Sequence, residues 1–279
     1  MQSRIQSTML ALTIAGGISA ATQARAYTIL APNSVVAGKT ITDWTGEWWT
    51  WALQAPQAAN PLLDTTGGFA NVNNGGPVYF VAGGVLGSGG STNRTIYIPG
   101  NKPILLPIIN LVDTEPVPPL DPALTLADRT LSADLVLAAW LSAVNTASLF
   151  ASIDGTPVAS PASHLQVTNV FDLGATKPDS LLEGFGVPAG THAVPTRSAG
   201  YWLMIDDLSP GPHELRFGGS VGAISVDTPS GIQSLDPYSA NVTVTALVPE
   251  PASLLLLGTA LALAGLSRGR GHGVSASIR

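Results

Sequence analysis

The chain of 279 residues contains no cysteine. That absence excludes disulfides, thiol catalysis and cysteine-based zinc or iron–sulfur sites. Charge is scarce as well: 11% of residues are charged, twelve of them basic, and the formal net charge is −6. Twelve scattered cations build no stripe for a phosphate backbone, so nucleic acid is not an expected partner. Low charge beside 45% apolar residues is also unlike a disordered chain, which is charge-rich and poor in apolar side chains. What the chain has in quantity is glycine, 30 residues, and proline, 22, which punctuate short elements. The length suits one or two domains.

Both ends carry apolar runs in a recognisable order. Arg4 precedes an apolar stretch over 9–21, and Ala24-Arg25-Ala26 then places small residues at the cleavage positions. The pattern predicts an export signal over 1–26, cut by signal peptidase after Ala26, with Tyr27 opening the mature chain. No cysteine follows the run, so a lipoprotein anchor is excluded. At the other end Val248-Pro249-Glu250-Pro251 leads into fifteen uncharged residues, 252–266, and then Arg268 and Arg270. As a helix at ~1.5 Å per residue this stretch reaches roughly 22 Å, short of the ~30 Å hydrocarbon core. It is a marginal transmembrane helix, and its arginines would hold the basic tail on the cytoplasmic side.

Pro249-Glu250-Pro251, the span Leu254-Leu255-Leu256-Leu257-Gly258 and the basic tail together resemble the PEP-CTERM sorting signal of Gram-negative bacteria. The resemblance covers about 248–270. It implies that an exosortase-type membrane protease reads the signal 248–279, after transient anchoring in the inner membrane. The product would pass to the cell surface or exterior, often beside exopolysaccharide.

The intervening body, 27–247, holds seven Lys and Arg against seventeen Asp and Glu, a formal charge of −10. Such a surface repels polyanions and tolerates divalent cations. No linker divides it and no repeat of 20–50 residues recurs, so it reads as one domain. Trp44, Trp48, Trp51 and Ala55 fall on one helical face behind an N-cap at Thr42 or Asp43, and Pro56 ends the helix. A second helix is expected over 125–145, with a capping-box-like start at Thr125 and Asp128 and a stripe of Leu131, Leu135, Ala138 and Leu141 or Ser142. Strands are expected at 78–82, 95–99, 104–109, 148–154, 164–170, 201–205, 213–217, 223–227 and 241–247, with Asp154-Gly155 as a hairpin turn. Leu215 and Phe217 alternate with Glu214 and Arg216, the mark of a half-buried strand. The expected fold is mainly β: an antiparallel β-sandwich with two helices, flanked by a cleaved signal and a C-terminal transmembrane helix. Two phrases, Trp48-Trp49-Thr50-Trp51-Ala52 with Asn60-Pro61-Leu62-Leu63-Asp64-Thr65-Thr66-Gly67, and Gly200-Tyr201-Trp202-Leu203-Met204 with Leu208-Ser209-Pro210-Gly211-Pro212-His213, are similar to a group of exported bacterial proteins, a likeness that implies a common fold and transfers no catalytic residue.

Candidate chemistry is sparse. Asp64-Thr65-Thr66-Gly67 resembles the aspartic-protease turn but has an inserted threonine and no second copy, so a strand-ending turn is expected. No G-x-S-x-G elbow occurs, and His164, His192 and His213 are too far apart in sequence to form a recognised metal motif. No cofactor is expected. Asp206-Asp207 and the asparagines of 71–74 offer oxygen ligands for calcium, or simply turn chemistry. Trp49 lies off the tryptophan face and is the candidate for glycan contact. The leading expectation is a non-catalytic surface or extracellular-matrix protein sorted by its C-terminus. The alternatives are a secreted carbohydrate-binding module and a glycan-active hydrolase with an unrecognised acid pair.

Overall fold

The computed structural model describes residues 26–84, 90–100, 102–116 and 121–250. Ala24 and the rest of the export signal before Ala26, Pro251, the helix 252–266, Arg268 and Arg270 lie outside the described residues.

The chain enters through β1 (Thr28–Ile29) and a small hairpin of β2 (Val35–Val36) and β3 (Lys39–Thr40). That hairpin delivers Thr40 as the N-cap of α1 (Ile41–Gln54). The Thr40 hydroxyl accepts from the Asp43 N–H, and the Asp43 carboxylate accepts from the Thr40 N–H. Asp43 is thus the third residue of a capping box rather than the cap, which moves the start ahead of Thr42. Next come β4 (Tyr79–Phe80), β5 (Gly90–Tyr97) and the long β6 (Ile104–Pro116). The Thr125–Asp128 box opens α2 (Leu126–Ala143), which runs straight into β7 (Val144–Ile153). Then follow β8 (Thr156–Pro157), β9 (Leu165–Val167) and a single-turn helix, α3 (Leu181–Gly184). The chain closes with β10 (Ala193–Asp206), β11 (Gly211–Val221), the hairpin of β12 (Ile224–Thr228) and β13 (Gly231–Leu235), and β14 (Tyr238–Val248).

The described chain is mainly β with three helices, and each expected strand meets an observed one. One sheet runs β1-β10-β6-β4 with β9 beside β10, and the other runs β5-β14-β11-β7-β8. The expectation of purely antiparallel pairing is corrected at two places, β5 beside β14 and β4 beside β6, which are parallel. Neither pair is joined by a hairpin, so nothing forces the antiparallel sense.

Two cores form because the first sheet is covered on both faces. Leu106, Leu203 and Ile205 meet Leu215, Phe217 and Val244 of the second sheet, with Trp140 of α2 among them. Their strand neighbours Leu105, Trp202 and Met204 point the other way, onto the indoles of α1. A strand buried on both sides reads as a continuous apolar run, as 104–109 and 201–205 do. In the second sheet β11 keeps the expected alternation, Leu215 and Phe217 in, Glu214 and Arg216 out.

The stripe expected on α2 is wrong. Leu131 is exposed, and the buried face carries Arg129, Ala133, Val136 and Trp140. The large indole of Trp140 sets which side turns inward, and buried polar groups on that side find partners: Arg129 Nη1 donates to the Val194 carbonyl and Ser132 Oγ bonds Ser230 Oγ. Among the described residues no helix is long and apolar enough to cross a membrane.

Candidate functional site

A bulge in β6 positions the groups that follow it. Opposite Tyr201 and Trp202 the register slips, so Ile108 and Ile109 both turn to the core between the sheets. The parity of the strand flips there. Val112 accordingly packs towards α1, and Leu111 towards the inter-sheet core. Asp113 and Glu115 fall on the same side as Leu111.

The outer edge of β6 is covered by β4 only at Ile104 and Leu105, and no other described strand pairs with it there. Along this edge lies a cleft of about 1020 Å³. Trp48, Trp49 and Leu53 of α1 and Leu182 of α3 form one wall, residues 235–240 form the other, and β6 from 107 to 115 makes the floor. Large, mostly apolar clefts with a few polar groups are where small ligands or peptide segments bind.

The polar groups gather at one end. Burial pushes the Asp113 carboxyl up to about 6, and the nearby Glu115 charge adds to the shift. Arg197 is the cross-strand neighbour of Asp113, yet its guanidinium pairs with Asp134 of α2. Asp236 adds a third carboxylate to the lining. Asn110 also lines the cleft, and its buried side-chain N–H has no hydrogen-bond partner. Tyr238, its hydroxyl pushed up to about 12 by burial, accepts the Trp140 indole N–H at 2.9 Å and reaches the Asn110 carbonyl at 3.4 Å.

Trp49 is not the surface residue that its helical position suggests. It is only 6% exposed, its N–H donates to Ser198 Oγ at 2.9 Å, and its ring meets Trp48 edge-on at 4.9 Å. Helical periodicity assigns one buried face, but α1 is covered by β10 on one flank and α3 on another, so a second face is buried too. The part of Trp49 that stays open borders the cleft.

A constellation missed in the sequence joins residues from separate turns. His213 Nδ1 lies 2.8 Å from Asp154 Oδ2, and Nε2 lies 3.4 Å from Ser209 Oγ, the outline of a serine–histidine–aspartate triad. The chemistry does not follow. Nε2 is 2.7 Å from the Ser209 carbonyl oxygen, which only accepts, so Nε2 carries the proton and cannot take one from the hydroxyl. Asp154 Oδ1 further accepts the Glu214 N–H at 2.9 Å. The group is a clamp between two turns, the Asp154-Gly155 hairpin, where both residues have positive φ, and the turn at 209–212. Only spatial proximity reveals it; nothing in the spacing does.

Other candidates resolve into turn chemistry. Asp64 accepts from the Phe69 and Thr66 N–H groups and the Thr66 hydroxyl; burial opposes its ionisation, but these bonds outweigh it and hold the carboxyl below the usual range. The Asn74 amide is spent on Phe80 N–H, Phe80 O and Ala70 O. His192 pairs with Asp172 at 2.6 Å, and His164, buried elsewhere, is held below the ordinary histidine range by its burial. Among the described residues no three His, Asp or Glu gather as a metal site. Ala26 gives its carbonyl to the Ser209 N–H at 2.9 Å, while Pro249 and Glu250 stand exposed directly after β14. Comparison of the chain with protein-family models, curated proteins and solved structures finds no match.

Proposed function

We propose that this is an exported surface or extracellular-matrix-associated protein, delivered by the N-terminal signal 1–26 and sorted by the PEP-CTERM-like segment 248–279. The body, a two-sheet sandwich, acts by binding rather than by catalysis. The observation that carries the reading is the order Pro249-Glu250-Pro251, apolar span, Arg268 and Arg270. It gains support from the position of the motif: β14 ends at Val248 and Pro249 and Glu250 are exposed, where a protease can reach them without unpairing a strand. The partners on this reading are signal peptidase, an exosortase-type protease, the inner membrane before processing, and exopolysaccharide afterwards.

The test is the fate of the tail. The parent should yield a mature product that begins Tyr-Thr-Ile and lacks 252–279. Replacing Pro249, Glu250 and Pro251 by alanine leaves the apolar span intact, so the variant should accumulate in the inner membrane with its tail attached. Equal processing of variant and parent overturns the proposal. A second reading, a carbohydrate-binding module or glycan-active hydrolase, draws on the cleft itself, with Trp48 and Trp49 in one wall and the Asp113–Glu115 pair on one strand. Retention on the producer's own polysaccharide and turnover on a glycan panel test it.

A further inference from the structure

The cleft has a feature that a pocket for a compact ligand does not need: a strand edge on its floor. A Cβ placed on Gly200 would stand 2.6 Å from Asn110 Cβ, so the strands approach closely at this cross-strand pair. Close approach marks the narrow, non-hydrogen-bonded kind of pair, whose backbone groups point away from each other. The Tyr238 hydroxyl already donates to the Asn110 carbonyl at 3.4 Å, and the backbone groups of Ser198 and Thr196, register partners of Val112 and Thr114, bond Thr168 and Phe171 away from β6. Strand alternation then turns the N–H and C=O groups of Asn110, Val112 and Thr114 to the open edge.

We propose that the cleft is the docking site for an extended, basic segment of another polypeptide, which adds a strand to the open edge of β6. Main-chain hydrogen bonds would supply the affinity, and pockets for alternate side chains the selectivity. Pro107 and Pro116 bound the available edge, leaving 108–115, about 27 Å at ~3.4 Å per residue. Walls on both sides admit one strand and keep sheet edges of other copies away, which separates this edge from an unprotected one. Charge selects the segment. Asp113, Glu115 and Asp236 line the cleft, among the described residues no basic side chain joins them in its lining, and Arg197 opposite Asp113 is spent on Asp134, so an anionic chain is repelled and a Lys or Arg is drawn in. A glycan fits less well, because Trp48 and Trp49 pack edge-on against each other and have almost no free ring face to stack on a sugar.

The inference holds whether or not the chain is exported, so it stands apart from the sorting proposal. The test uses the full chain and three acetylated, amidated hexapeptides: Lys-Val-Thr-Val-Lys-Val, its counterpart with Glu for Lys, and the basic peptide N-methylated at alternate residues. Binding is read by calorimetry and tryptophan fluorescence at low salt. The basic peptide should bind, with the acidic one about tenfold or more weaker and the N-methylated one silent. The double variant Asp113→Asn, Glu115→Gln should bring the basic and acidic peptides within about twofold of each other. Val112→Pro removes an edge N–H and should abolish binding; the N-methylated peptide makes the same test on the unaltered protein if that variant does not fold. Equal binding of all three peptides, no binding of any, or binding of cellohexaose alone overturns the proposal.

Discussion

A buried histidine with both ring nitrogens occupied is a structural element, and His213 is such a residue. Its removal takes one charged hydrogen-bond partner, at 2.8 Å, from the buried Asp154 carboxylate, a loss that costs about 3 kcal/mol. His213→Ala should lower the free energy of unfolding by that amount, read from the shift of the denaturant midpoint. Ser209→Ala should change it by no more than about 0.5 kcal/mol, since the hydroxyl lies at 3.4 Å and the carbonyl holds Nε2. A nucleophilic serine would give the opposite pattern, activity lost and stability kept. Asp113 offers a second measurement at the same scale. Folding raises its pKa from the ordinary 3.8 to about 6, so the native state keeps a proton that the unfolded chain has released within that window. Its contribution to stability is present below about pH 4 and is lost as pH rises through 6. Asp113→Asn should therefore stabilise the protein at pH 7 by about 1–2 kcal/mol and flatten the pH dependence of unfolding between 4 and 6. Unchanged slopes in that range would assign the carboxyl an ordinary titration.

At the scale of elements, α1 shows what a sequence can carry. Its period, its stop at Pro56 and the burial of Trp44, Trp48 and Trp51 were all legible, because indoles at i, i+4 and i+7 have one reading on a helix. Trp48 is 1% exposed, meets Trp49, Trp51 and Trp202 edge-on, and donates its N–H to the Val81 carbonyl at 2.8 Å. Trp48→Ala should cost about 3–5 kcal/mol, read from the denaturant midpoint. A shift below about 1 kcal/mol would mean that the helix does not anchor the second core. The strands were legible too, though shorter than they are: β10 and β6 extend well beyond their apolar runs, into 193–200 and 110–116, where polar residues such as the hydrogen-bonded pair Thr114 and Thr196 break the apolar pattern. The short strands β1, β2, β3 and β8 have no pattern to show at two residues each. The cleft was illegible for a different reason. Its acid pair faces the inter-sheet side only because one bulge at Ile108 shifts the parity of β6, and its walls come from α1, α3 and β14, far apart in sequence.

At the scale of the whole molecule, the last strand is the one the fold can least lose. β14 lies inside its sheet, antiparallel to β11 along its full length and parallel to β5 over 240–247, and Val242, Val244 and Ala246 are fully buried. A chain ending before β14 would leave β5 without its described partner, bare one edge of β11 and open the core to water, so folding must wait for the C-terminal end of the body to be made. The same arrangement sets a limit on any C-terminal processing: a cut after Val248 removes nothing from the described sheets, and a cut seven residues earlier removes most of a central strand. A chain spanning 27–250 should therefore unfold cooperatively with the same midpoint as the full chain. One spanning 27–241 should show no cooperative transition, since the pairing and burial it loses are comparable with the whole stability of about 5–15 kcal/mol that a domain has. Circular dichroism melts of the two chains decide the matter. A cooperative transition in the shorter chain would show that the second sheet closes without most of β14.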